Sequence, residues 1–453
     1  MRQLDERTQS WLTRASVAAL VSLFLLHFAF ICIYAVDVPY WDEWTLLSPG
    51  QIPAGFSAET LWAPLNEHRI VTTKLLVWAL YFVSGWNLIV HQILNFVIFG
   101  ALVLLLLFFS RRLAASMPLG VITAFLLFLL SPLNQENHTM GIQTQFHLVL
   151  LFFLVAAYCL FHETQTWDKI LAGVLATGLA MCSSAGGAVS ALVLLMTFSL
   201  FKAQRVRNLA DKGRKTEIAQ WLLVMSVLGC AVTMWLVDYR GTAGSTASAS
   251  PLSGRFWNYF FNIVSLGFGF EFVSSAVGVL CILVVVAPLI GMALKNRARL
   301  PANCWTLGVM VLGILAILAS ISVGRANGWA VDQSKSSRYS EFGMMLVPLA
   351  AMAWWQFVQT SKARTAMLLC LWCFCFAGFL NNWSYFAFYQ DTFLLRTAGR
   401  ECIRKYYDEG GGDSCRSVAP MPLASQLNAA RKLNLSFYRS IRSESGADAN
   451  MQQ

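Results

Sequence analysis

Asp42 and Glu43 stand side by side between Tyr40, Trp41 and Trp44. A carboxylate that is partly desolvated among aromatic rings is suited to take a proton from an attacking hydroxyl. The rings themselves can stack on a sugar face or sit at the headgroup level of a bilayer. Further along the same stretch, Asn66-Glu67-His68-Arg69 adds a second carboxylate, an imidazole that titrates near neutrality and a guanidinium shaped for anions. Alone, the first cluster reads equally well as a tryptophan anchor with a solvated acidic pair, and the second reads more readily as a polar turn before a helix. Their coincidence within residues 37–70 of a chain with only 12% charged residues favours chemistry.

Two other regions offer groups that would complement such a loop. The stretch SPLNQENHTMGIQTQ supplies Asn134, Gln135, Glu136, His138 and Gln143, all capable of bonding sugar hydroxyls. Gly324-Arg325 and Ser337-Arg338-Tyr339, with Lys335 between them, place cations where a phosphate or pyrophosphate could be held at a bilayer surface. A snorkelling pair on lipid headgroups is the plainer alternative. Asn87, His91 and Asn95 recur every four residues on one helical face, a spacing that serves helix–helix hydrogen bonding more readily than substrate contact. Cys370, Cys373 and Cys375 lie inside an apolar run without nearby His or carboxylate and read as packing residues. Cys402 and Cys415 lie in a polar segment, where a disulfide is plausible on an oxidising side of a membrane.

The elements that must position these residues are membrane helices. Of 453 residues, 57% are hydrophobic, and many apolar runs approach the roughly 20 residues needed to cross a bilayer. Backbone groups in hydrocarbon must be satisfied internally, and these runs lack the alternation of a membrane barrel, so they are helices. The net charge of +10 is spread in short Arg/Lys clusters between apolar runs, as orientation signals are, which argues against nucleic-acid binding. The first run, Trp11 to Val36, is too long for a signal-peptide core and is expected to remain as a spanning helix.

Alternation of basic turns with acidic and aromatic loops predicts about eleven crossings, an N-terminus in the cytoplasm, and residues 37–70 and 324–341 as outer loops. Val71 to Gly85 is expected to lie along the interface. Lys169 to Phe201 is expected to form two helices broken at the CSSAGG stretch. FWNYFF at Phe256 to Phe261 is expected to anchor an interfacial helix. The stretch DYRGTAGSTASASPLSGR, residues 238–255, is an expected flexible loop of small residues, and residues 389–453 form a polar C-terminal tail expected outside the membrane.

With these motifs in this order, the chain resembles the GT-C superfamily of polytopic glycosyltransferases, in a branch of the bacterial envelope. The motifs are YWDEW directly after the first helix, NEHRI, a Gln-rich loop, an SSAGG break and a late GR…SRY loop. The resemblance spans Trp11 to Val358. It implies an all-α fold over residues 1–388, a cytoplasmic (inner) membrane location, and transfer of a sugar from a polyprenyl-phosphate carrier to an envelope glycan or lipid acceptor. It carries the role of base onto Asp42 or Glu43 without choosing between them. It carries contact with the carrier phosphate onto Arg325 and Arg338, with Tyr339 beside them. Tyr40, Trp41, Trp44, Glu67, His68, Arg69, His138 and Gln143 would line the substrate site. Some members of the superfamily use a divalent metal and others do not, so a divalent metal stays open and no other cofactor is implied. Members often carry a large folded outer domain at the C-terminus, which the short tail here does not match. The alternative from another class is a flippase or transporter of a lipid-linked glycan, binding with the same groups but transferring nothing.

Overall fold

The structure, a computed structural model, describes residues 6–207, 211–237, 239, 248–297, 299–327, 334–410 and 412–451. Residues 238 and 240–247 of the expected small-residue loop 238–255, and residues 328–333 of the late outer loop, lie outside the described residues. Among the described residues the regular elements are helices, apart from one isolated bridge between Leu65 and His68.

In order the helices are α1 (Glu6–Tyr34), α2 (Ala58–Trp62), α3 (Val71–Ser84), α4 (Leu88–Leu113), α5 (Leu119–Leu129), α6 (Gln135–Thr139), α7 (Thr144–Leu160), α8 (Trp167–Met181) and α9 (Ala185–Val206). They continue with α10 (Asp211–Leu236), α11 (Gly254–Leu266), α12 (Ser275–Lys295), α13 (Ala302–Arg325), α14 (Ser340–Phe357), α15 (Ser361–Asn382), α16 (Ala387–Glu409), α17 (Ala424–Lys432) and α18 (Ser436–Met451).

Among the described residues nine helical segments are long and apolar enough to cross a membrane. Helices α8 and α14 fall outside that number, α8 being short and α14 carrying more polar residues at its ends. Both belong to the roughly eleven crossings expected from the sequence, and both are helical here. The 14-residue α3 is too short to cross. It buries Val77 and Trp78 while leaving Phe82 and Val83 exposed, as an interfacial helix does. The CSSAGG stretch breaks α8 from α9, with Ser184 capping the new N-terminus by accepting from the Gly186 N–H. Helix α11 buries Phe256, Tyr259, Phe260 and Ile263 along one face.

Contacts gather the first loop, the 131–143 segment, the α8–α9 break and the start of α14 at one end of the bundle. The Thr72 N–H donates to the Cys182 carbonyl at 3.1 Å, and Arg69 donates to the carbonyls of Trp235 and Val237. The opposite end carries Arg111 and Arg112 at the end of α4, and Lys202 and Arg205 shared on Glu217. Helix α14 reaches its position because α11 ends in glycine: a Cβ on Gly267 would lie 2.5 Å from the Gly343 carbonyl carbon. Small residues permit this approach between helices.

The segment after residue 389, polar in sequence, folds as α16, α17 and α18. These form a second apolar core with the first loop, in which Trp44, Leu46, Leu47 and Ile52 meet Ile403, Val418, Leu427, Phe437 and Ile441. A disulfide joins Cys402 to Cys415 within this cap. The cap is also tied to the bundle, since His27 of α1 and Tyr389 of α16 share a hydrogen bond of 2.5 Å.

Candidate active site

Residues Trp41–Leu47 form a 3-10 helix. Neighbouring residues in such a turn point about 120° apart, and this separates the adjacent carboxylates. Glu43 points inward and is fully buried, whereas the Asp42 side chain is 38% exposed. Trp41, at the start of the turn, has φ +49°, an outlier for a bulky residue. It is held there by its N–H, which donates to the Val418 carbonyl of the cap at 2.7 Å, and its ring is left exposed beside Asp42.

Glu43 is the keystone of the first loop. Its carboxylate accepts from the Tyr40 N–H at 2.8 Å and the Gly141 N–H at 2.5 Å, and pairs with the buried Arg396 of α16 at 3.2 Å. Arg396 also donates to the carbonyls of Val38 at 2.8 Å and Thr139 at 2.7 Å, and lies over the Tyr40 ring. Burial pushes the Glu43 carboxyl above its usual value, opposed by Arg396 and the two N–H donors. Gly141 can approach because it lacks a side chain: a Cβ there would fall 2.2 Å from His91 Nδ1. Asp37 is a second internal brace, accepting from the Leu88 N–H at 2.8 Å and from Ser436 of α18 at 2.7 Å.

Asp42 faces the late loop. Arg338 Nη1 donates to Asp42 Oδ2 at 3.1 Å. On its other side Arg338 is fixed by Glu136, whose Oε2 accepts from Ser336 Oγ at 3.0 Å, Ser337 Oγ at 2.9 Å and the Arg338 N–H at 2.9 Å. Arg338 Nε donates to Ser336 at 2.8 Å. A second ion pair joins Arg325, at the end of α13, to Glu67. His68 lies beside it, with Nε2 3.6 Å from Glu67. The Ala185 N–H donates to His68 Nδ1 at 3.3 Å, so in the neutral ring Nε2 carries the proton and faces Glu67. Burial pushes the His68 imidazole below its usual value. Glu67 and Asp42 act against that shift, and Arg325 and Arg338 reinforce it. His68 thus feels both ion pairs, which belong to one polar face.

Of the residues singled out in the sequence, the structure brings together Trp41, Asp42, Glu67, His68, Arg325 and Arg338 on this face. Others are internal. Trp44 is fully buried against Phe437. Arg69 is spent on the carbonyls of Trp62, Trp235 and Val237. Tyr40 is half-buried under Arg396. Tyr339 packs its ring on Phe146. Gln143 is buried at the start of α7. His138 is fully buried between Phe99 and His147. Asn87, His91 and Asn95 serve as internal hydrogen-bonding groups: Asn87 caps α4, His91 meets Thr144, and Asn95 holds the carbonyls of Asn137 and Met140.

Sequence reasoning did not find Arg396, Asn137, Glu341 or His147. Asn137 donates to the Arg338 carbonyl at 3.2 Å and to Glu341 at 2.7 Å, and Glu341 meets His147 at 2.8 Å. The available signal for Arg396 was a cation directly after the apolar pair Leu394-Leu395, and a cation needs a partner if it is buried.

No family model matches the chain, and no curated protein matches it. Among solved structures the chain is similar to the crystal structure of ArnT from Cupriavidus metallidurans bound to undecaprenyl phosphate. That similarity has a TM-score of 0.45 and 14% sequence identity, covering 97% of this chain and 79% of that chain. Among the described residues no three His, Cys, Asp or Glu side chains converge on one point as metal ligands do. Asp42, Glu67 and Glu136 are each committed to an arginine.

Proposed function

We propose that this protein is a membrane glycosyltransferase of the GT-C type. It would move a sugar from a polyprenyl-phosphate carrier to a glycan or lipid acceptor of the cell envelope, on the outer face of a bacterial inner membrane. The observation that carries this reading is the meeting of Asp42, from the loop after the first helix, with Arg338, from the loop before α14. A half-exposed carboxylate and two arginines on one polar face, beside an exposed tryptophan, match the needs of sugar transfer from a lipid phosphate.

In the reaction, Asp42 accepts the proton of the acceptor hydroxyl. The hydroxyl oxygen bonds to the anomeric carbon, and the bond from that carbon to the phosphate oxygen breaks with its electron pair passing to the phosphate. Arg338 and Arg325 stabilise the charge that grows on the leaving phosphate. Trp41 offers a ring for the sugar face. Glu43 is assigned to holding the loop, because its carboxylate is enclosed and fully committed. The short basic turns at the end away from Asp42, at Arg111-Arg112 and around Lys202 and Arg205, support the outer placement.

Purified protein incubated with a radiolabelled polyprenyl-phosphate sugar and an envelope lipid extract is expected to transfer label, and Asp42→Asn to lose that transfer. Retained transfer in that variant would remove Asp42 as the base. The flippase reading draws on a different observation, the fully buried His147–Glu341 pair at the starts of α7 and α14, since buried ionisable groups of membrane proteins often mark transport paths. Release of free carrier phosphate from the sugar separates the two readings.

A further inference from the structure

Both arginines of the polar face are already paired with carboxylates, and the two partners of Arg338 differ in kind. Glu136 is built in. One of its oxygens collects three donors from Ser336, Ser337 and the Arg338 backbone, all within 3.0 Å, and the same oxygen lies 3.9 Å from Arg338 Nε. Asn137 ties the Arg338 carbonyl to Glu341 from below. Asp42 reaches Arg338 through a single contact of 3.1 Å between side chains that are 38% and 29% exposed. The permanent partner fixes where the guanidinium sits, and the other partner can be exchanged.

We propose that Asp42 is a competitor for the site of the carrier phosphate, and that an arriving phosphate displaces it from Arg338. This rests on the glycosyltransferase reading above and extends it with an order of events. Before the donor arrives, the Asp42 carboxylate is engaged as the counter-ion of Arg338. When the phosphate takes over the guanidinium Nη groups, with a bidentate fit available to it, the Asp42 lone pairs are released to accept the acceptor's proton. The base is thus freed only when a donor is in place, and an acceptor or water arriving first meets an occupied carboxylate. Glu67 on Arg325 is the parallel pair, beside His68.

The test is equilibrium binding of a short-chain polyprenyl monophosphate to the purified full chain in detergent, with thermal melting of every variant as a folding control. An exposed ion pair is worth up to about 1 kcal/mol, so freeing Arg338 in advance is expected to tighten phosphate binding by about two- to fivefold. That gain is expected in both Asp42→Asn and Asp42→Ala, the second showing that it does not come from the asparagine amide, and both variants are expected to lose transfer. Arg338→Ala is expected to weaken binding on the order of tenfold or more through loss of charge-assisted hydrogen bonds. Unchanged or weaker binding in both Asp42 variants, with Arg338→Ala weakened, would overturn the competition while leaving the glycosyltransferase reading in place. Absence of phosphate binding and of transfer in the wild-type protein would remove that reading and this inference together.

Discussion

At the residue scale, the proposal gives two neighbouring carboxylates opposite duties, and the difference is measurable. Replacement of Asp42 by Asn is expected to reduce transfer at least 100-fold, in line with loss of a general base, with the melting temperature unchanged. Glu43→Gln keeps the shape but leaves Arg396 charged and buried without its counter-ion. Breaking a buried pair from one side costs about 3–5 kcal/mol, so this variant is expected to melt earlier and to expose the first loop to protease. Thermal unfolding in detergent distinguishes the two. His68 gives a third prediction. Its folded-state imidazole lies below the usual value of about 6.5, chiefly through burial, so the unfolded chain binds its proton more readily. Its contribution to stability is therefore intact above about pH 6.5 and declines as pH falls from there through the folded-state value. Melting temperatures measured across that range are expected to fall on the acid side, and less steeply in His68→Gln.

At the element scale, the spanning helices were legible in the sequence because hydrocarbon imposes one strong rule on the backbone. The short α3, the break between α8 and α9, and the aromatic α11 followed from length and small or aromatic residues. The meeting of the first loop with the late loop was also legible, since acidic and basic clusters on one side of a membrane complement each other. The role of α16 was not. Its partners, Glu43 and the carbonyls of Val38 and Thr139, come from segments more than 250 residues away, and neither periodicity nor composition reports such pairing. Nor could the sequence divide Asp42 from Glu43, because that division depends on a 3-10 turn entered by Trp41 at positive φ. The disulfide is the element's own test. It closes a loop with a sequence separation of 13, worth roughly 3 kcal/mol by loop entropy, and the loop leads to the Val418 carbonyl that holds Trp41. Cys402→Ser is expected to lower the melting temperature and also transfer activity, and reductant is expected to reproduce both effects in the wild type but not in the variant.

At the scale of the whole molecule, the acidic and aromatic face and the cap lie at one end, and the clusters around Arg111, Arg112, Lys202 and Arg205 at the other. A reporter that is active only outside the cytoplasm is expected to be active when fused after Gln453 and silent when fused after Arg207. The reverse result would invert the bundle and place the polar face on the inner side, where an outer-leaflet donor could not reach it.

The pairing of Glu43 with Arg396 also sets a clock on biosynthesis. The two residues are 353 positions apart, so at typical rates of chain elongation the ribosome adds Arg396 roughly 20–70 s after Glu43. Throughout that interval the first loop has been made but its carboxylate has no cation, its apolar residues have no cap, and Trp41 has no carbonyl to hold it. A nascent or truncated chain that ends before α16 therefore inserts its helices with the Glu43 carboxylate unpaired and the proposed site unassembled, and both await the synthesis of α16.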